Sequence, residues 1–177
     1  MITDLVQIER LGRNAKASYE QLRQHMKRRK YRELRFRRIA EEFEAAIDCK
    51  TCANCCRKST VRLGERDLAR LVKAFKLKRD RVIADYTLPS DEEGLILRRD
   101  DERGCVFLNG NECLIYEDRP DICRDYPHLV HGPGSLQSRM WHMPARASVC
   151  PIVYNTLEAW KGEMGIGPAS DGAPAKK

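Results

Sequence analysis

Apolar positions in the first 47 residues recur at three- and four-residue steps. Leu5, Ile8, Leu11, Ala15, Tyr19, Leu22 and Met26 form one series; Phe36, Ile39, Phe43 and Ala46 or Ile47 form a second. This spacing predicts amphipathic helix. No proline interrupts it, and Gly12 is its one glycine. The expectation is a single long helix, or two helices meeting near residues 28–32, whose second half docks on the cysteine-rich core. Downstream the pattern shortens. Residues 59–63 read as a strand, and Gly64 introduces a helix over Glu65–Phe75 with Leu68, Leu71, Val72 and Phe75 on one face. A second short helix is expected over Arg79–Tyr86. The turn-rich stretch 89–94 leads to a strand at 95–98. Asn109-Gly110-Asn111 between two apolar runs is a hairpin signal that places Cys105 and Cys113 near opposite strand ends. A short helix at 119–124 with Pro120 in its first turn, an irregular stretch at 127–144 and a last helix after Pro151 complete the reading. The fold class is α+β: a small cysteine-rich, metal-bound core of short strands, a hairpin and helices, preceded by a long N-terminal helical arm. The expected division is a basic arm (1–47), a cysteine-cluster domain (48–160) and a disordered tail (161–177).

Composition sharpens this picture. The chain has 177 residues, suited to one domain with an appendage, yet only 7% are aromatic, which leaves a modest core. Metal cross-links would strengthen such a core, because metal-binding free energy is also folding free energy. No apolar run approaches the roughly 20 residues that span a bilayer, so membrane insertion is not expected. The opening residues lack the basic and apolar regions of a secretory signal. A reducing cytoplasm is the expected location. The net charge of +7 is uneven: residues 1–47 hold 12 Lys/Arg against 7 Asp/Glu. Eight of the twelve residues from Lys27 to Arg38 are basic. Such a run suits RNA, acidic lipid or an acidic protein, but a solvated helix face is favoured.

Cysteine carries the chemistry. Cys49, Cys52, Cys55 and Cys56 form C-x2-C-x2-C-C, and Cys105, Cys113, Cys123 and Cys150 follow. Thiolates are soft anionic ligands, and C-x2-C spacing brings two of them to one ion from a tight turn. Where thiols stay reduced, such clusters point to metal or catalysis rather than to disulfides. All eight are candidate metal ligands. Adjacent side chains of an extended backbone point to opposite sides, so Cys55 and Cys56 are expected to serve different sites. C-x2-C-x2-C with a distant Cys-Pro, here Cys150-Pro151, is how bacterial ferredoxins hold a 4Fe–4S cluster. This gives one site from Cys49, Cys52, Cys55 and Cys150, and a second, either zinc or another cluster, from Cys56, Cys105, Cys113 and Cys123. His128, His131 and His142 are possible but unneeded ligands. Arg57 and Lys58 are placed to lower the Cys56 pKa, but metal-free thiol catalysis lacks a supporting motif, and no phosphate-binding glycine loop is present.

The chain resembles the YkgJ-type cysteine-cluster proteins, described as zinc- or iron-chelating domains. The resemblance rests on Cys49-x2-Cys52-x2-Cys55-Cys56, Gly104-Cys105-Val106-Phe107-Leu108, Cys113-Leu114-Ile115-Tyr116, Arg119-Pro120 and Cys123-Arg124-x-Tyr126-Pro127. It implies metal chelation through these cysteines. Some members are labelled iron–sulfur oxidoreductases, and a similar motif occurs in flagellin lysine methylases, so the module can sit in an enzyme. No reaction is assigned here. Arg119 and Tyr126 are expected to support the cysteine loops structurally, the arginine by bonding their carbonyls. An iron–sulfur cluster with a redox or electron-transfer role is favoured over the alternative, a zinc-stabilised module whose basic helix contacts RNA or a protein. The physiological redox or protein partner is not readable.

Overall fold

The computed structural model describes residues 1–167, which divide into two compact units: Met1–Asp48 with the chain from Pro127 onward, and Cys49–Tyr126. The class is α+β, with an N-terminal helical region.

In the first unit the N-terminal apolar series forms three helices, α1 (Leu5–Asn14), α2 (Lys16–Arg28) and α3 (Glu33–Ala46). Asp4 caps α1 by accepting from the Gln7 amide at 2.8 Å. The join at Ala15 is a bend, since hydrogen bonds from Ala15 to Leu11 and from Tyr19 to Ala15 carry the ladder through it. The break after Arg28 is complete, with Arg29 extended at φ −122°. Four consecutive cations, Lys27 to Lys30, repel one another along a helix and favour release of the last turn.

Three later helices belong to the same unit: α9 (Leu136–Arg139) and α10 (Met143–Ala147), within and just beyond the stretch read as irregular, and α11 (Pro151–Glu163). Residues 151–157 of α11 are buried without a break, the pattern of a helix enclosed on all sides. Helices α1, α3 and α10 pack against it. Phe36 meets Trp160 edge-on at 5.5 Å, and Arg35 pairs with Glu163 at 2.6 Å. Asn155 pins the chain start, accepting from the Ile2 amide at 2.9 Å and donating to the Ile2 carbonyl at 2.7 Å. Lys161 is fully buried and donates to Glu158 at 2.9 Å and to Ser18 at 3.2 Å. Thus α3, expected to dock on the cysteine core, packs on α11. The reason is geometric: both helices present aromatic faces that interlock. Residues 161–163 of the expected tail continue α11, and residues 168–177 lie outside the described residues.

The second unit begins with α4 (Cys49–Cys52) and α5 (Asn54–Lys58), then α6 (Glu65–Phe75) and α7 (Arg79–Tyr86), both at the predicted positions. Three antiparallel pairs follow: β1 (Thr87–Ser90) with β2 (Gly94–Leu97), β3 (Arg99–Asp100) with β4 (Gly104–Cys105), and β5 (Leu108–Asn109) with β6 (Glu112–Cys113). Helix α8 (Asp121–Arg124) comes last, with Pro120 as its N-cap rather than inside the first turn. The strand expected at 59–63 reduces to one bridge, Arg62 to Ile96, flanked by hydrogen bonds from Leu63 to Leu95 and from Leu97 to Val61, each 2.8 Å. Strand β1 occupies part of the stretch read as a turn. Pro89 is tolerated opposite Leu95 because an edge strand can spare an amide donor.

Val61, Leu63, Leu68, Leu71, Val82, Leu97, Phe107 and Ile115 form this unit's core, and Cys105, Cys113 and Cys123 pack against it. Phe75, Tyr86 and Phe107 stack with centroids 4.8–5.6 Å apart.

Gly12 marks the tightest approach in the first unit. A β-carbon there would lie 2.5 Å from the Ala147 carbonyl oxygen and from the Ser148 backbone. Gly12→Ala therefore has to push α1 off the end of α10. The expected loss is about 1–3 kcal/mol of stability, read as a lowered denaturation midpoint with unchanged far-ultraviolet dichroism.

Candidate metal centre

The cysteine-rich stretch folds as two helical turns reversed by Ala53, whose φ of 46° is left-handed. A β-carbon in that conformation costs roughly 1–2 kcal/mol, and burial of Ala53 among its neighbours offsets the strain. Cys55 and Cys56 sit in α5 rather than in extended chain, which corrects the opposite-sides argument. Successive helical side chains diverge by only about 100°, and the Cys55 thiol donates a hydrogen bond to Cys56.

Strand β4 runs directly beneath α5. Gly104, at φ 82°, is required there: a β-carbon would stand 2.7 Å from the Cys56 carbonyl oxygen and from the Arg57 Cα. The next residue is Cys105. On the partner strand, Arg99 donates to the Arg57 carbonyl at 3.1 Å. The β5–β6 hairpin then delivers Cys113, and α8 delivers Cys123.

Arg57 holds this assembly together. Its guanidinium donates to the Cys52 carbonyl at 3.0 Å, to the Gly110 carbonyl at 2.8 Å and to Asn111 Oδ1. Asn111 in turn donates to the Thr51 carbonyl at 2.8 Å. The hairpin loop is thereby latched to both turns of the cysteine stretch. Tyr116 makes a second latch, with Lys50 4.8 Å from its ring centroid and the Arg119 guanidinium at 3.5 Å. Arg119 also donates to the Tyr116 carbonyl at 2.7 Å. Helix α6 anchors α8: Asp67 accepts from the Asp121 amide at 2.9 Å, and Arg70 bonds the Arg119 carbonyl and Asp121, each at 2.6 Å. The carbonyl-bonding role expected of Arg119 thus falls mainly to Arg57. In the sequence Arg57 is only a charge beside Cys56, Asn111 only a turn residue of the hairpin, and nothing local marks Lys50.

Four sulfurs share one electrostatic neighbourhood as a result. Cys105 feels Cys56 and Cys113, Cys113 feels Cys56, and Cys123 feels Cys105, Cys56 and Cys113. The hydrogen bond from Cys55, aided by Arg57 and Arg119, brings the Cys56 thiol down to about 7 against partial burial. Burial pushes Cys105 up to about 11 and Cys123 up to about 12, with the neighbouring sulfurs adding to the rise. Cys113 is raised by the same causes. All eight cysteines stand as thiols rather than disulfides. Among the described residues, no three cysteine, histidine or acidic side chains are already closed into a shell that could hold a metal ion. These four thiols lie within one another's electrostatic field, and their donor chemistry fits a soft metal. Closing on one requires their deprotonation.

Cys49, Cys52 and Cys55 lie on α4 and α5 in the same unit. Cys150 belongs to the first unit, buried as the N-cap of α11 before Pro151. So do His128, which is buried, and His131 and His142, which are exposed.

The model of the family described as "CxxCxxCC: Putative zinc- or iron-chelating domain" matches residues 48–151. The chain belongs to the CxxCxxCC family. No curated protein and no solved structure matches it. The CxxCxxCC domain is a metal-binding one of the zinc- or iron-chelating kind, and its match takes in all eight cysteines. Among the described residues no helix is long and apolar enough to cross a membrane.

Because Cys105, Cys113 and Cys123 are held protonated, with Cys56 near its midpoint at neutral pH, zinc binding is expected to release roughly three to four protons per ion. Affinity should rise from pH 6 to pH 8. Calorimetry in two buffers of different ionisation enthalpy measures both; release of fewer than two protons contradicts binding by four thiols. Arg57→Ala unlatches the hairpin. It should cost about 1–3 kcal/mol of stability and weaken zinc binding, whereas Lys58→Ala should do neither.

Proposed function

We propose that this CxxCxxCC domain holds an iron–sulfur centre of the 4Fe–4S type and serves in electron transfer. The supporting observation is that Cys56, Cys105, Cys113 and Cys123, carried by four separate elements, feel one another's charge in partly desolvated surroundings that the charges of Arg57, Arg99 and Arg119 also reach. Four thiolates with a cubane carry net negative charge, and nearby guanidiniums offset it. Such a centre, when bound, supplies reversible one-electron chemistry.

The chain's own residues do the rest. Cys56, poised to ionise near pH 7, is the first thiolate available to a metal. Cys105, Cys113 and Cys123 pack against the apolar core and would supply ligands from its less hydrated surroundings. Arg57 and Asn111 hold the hairpin so that Cys113 stays in reach. Cys49, Cys52, Cys55 and Cys150 remain candidate ligands of a second centre on the strength of their spacing. A reducing compartment such as the cytoplasm would keep these thiols available.

Anaerobically purified protein should be brown, absorb at roughly 400 nm and bleach with dithionite, as clusters in general do. It should contain iron and acid-labile sulfide. Cys105→Ser and Cys123→Ser should each lose the same portion of that iron. Colourless protein with stoichiometric zinc would reverse the assignment in favour of a zinc-stabilised scaffold.

A further inference from the structure

Trp141 is a large apolar side chain of the helical unit that stands 60% exposed. It is held in place from below. The Arg23 guanidinium lies 3.4 Å from its ring centroid and the Lys27 ammonium 5.3 Å away. Arg23 is itself buried, paired with Glu20, and its Nη1 has no hydrogen-bond partner. An exposed indole fixed by a guanidinium is a flat stacking surface with added positive charge.

Lys27 opens the strongest run of positive charge in the chain. Arg28, Arg29, Lys30 and Arg32 follow it and are all exposed at the break between α2 and α3. Two residues before Trp141, Arg139 lines a cleft of about 450 Å³. Its other walls are Leu34, Phe36, Leu129 and Val130, with Arg37 as a second guanidinium and Glu33 as the one acidic lining residue. Arg139 is oriented by the carbonyls of Gly134, at 2.6 Å, and Leu129, at 3.3 Å, and its buried Nε is unpartnered. Tyr31, within the basic run, lies in the field of Arg139. The first unit thus presents an aromatic platform, a row of cations and a cleft of small-molecule size with apolar walls and two guanidiniums.

We propose that this surface binds single-stranded nucleic acid, with a base stacked on Trp141, the backbone following Lys27 to Arg32, and a second base entering the cleft beside Arg37 and Arg139. Pairing a stacking aromatic with a basic track is how single strands are held without sequence readout. An anionic membrane fits less well, because the indole is stacked on cations and the exposed run from Lys27 to Arg32 holds no apolar side chain for insertion except the partly buried Tyr31. The inference concerns the helical unit and does not depend on which metal the cysteines hold.

The test uses the full, metal-loaded chain and a uridine-rich RNA of about a dozen nucleotides at about 50 mM salt. Binding is expected by anisotropy, together with quenching of the Trp141 emission; Trp160, which is buried, should be spared. Trp141→Ala should weaken binding about tenfold, since a stacked base contributes on the order of 1–3 kcal/mol, and Trp141→Phe should recover most of it. Changing Arg28, Arg29, Lys30 and Arg32 together to Gln should lower the logarithmic salt slope by about three. DNA of the same sequence separates a sugar-blind site from an RNA-specific one, both consistent with the proposal. It is overturned by absence of binding at this salt, by equal affinity of Trp141→Ala, by tighter binding of a duplex of the same length, or by quenching with phosphatidylserine vesicles and not with RNA.

Discussion

Four thiols that feel one another's charge in partly dry protein ionise together only at a cost, unless a cation stands among them. That constraint governs the cysteine-bearing unit. Burial is the main reason that Cys123 is driven furthest up, and the charge of three sulfur neighbours adds to it. Cys56 escapes because a donated hydrogen bond and two guanidiniums stabilise its charge. A soft metal ion bound by all four would resolve the conflict at once. The local architecture follows from keeping the sulfurs gathered before that happens.

The gathering is accomplished by contacts that leave the sulfurs themselves free of covalent linkage to one another. Gly104 lets a strand run against a helical turn, and Arg57 reaches from that turn to the hairpin loop. Asp67 and Arg70 fix the entry to α8. These are polar ties between backbone segments, worth about a kilocalorie each, laid over an apolar core of eight buried residues. A core of that size cannot by itself specify the place of a two-residue strand. The ties supply the placement, and the metal supplies further stability when bound.

The helical unit rests on a different principle. There an enclosed helix, α11, is the element around which the N-terminal segments assemble, and its aromatic contacts with α3 replace the docking that the amphipathic pattern alone suggested. Periodicity tells which face of a helix is apolar but not which apolar surface will cover it. The same limit explains Trp141. In the sequence it is one aromatic residue in an irregular stretch; its stacking on Arg23 and Lys27 exists only once α2 and the 136–147 region are packed.

Local chain chemistry sufficed for the cysteine inventory, the helices at Glu65–Phe75 and Arg79–Tyr86, and the Asn-Gly hairpin, because propensity and periodicity act over a few neighbouring residues. Cysteine spacing also pointed to a soft-metal site, since ligand chemistry is a property of residue type. Tertiary structure alone decided that Cys55 and Cys56 share a helical turn, that Arg57 rather than Arg119 bonds the carbonyl of the cysteine stretch, and that Cys56, Cys105, Cys113 and Cys123 enter one field. Those outcomes join residues up to 67 positions apart, and nothing local in the chain encodes which distant backbone a guanidinium or a thiol will meet.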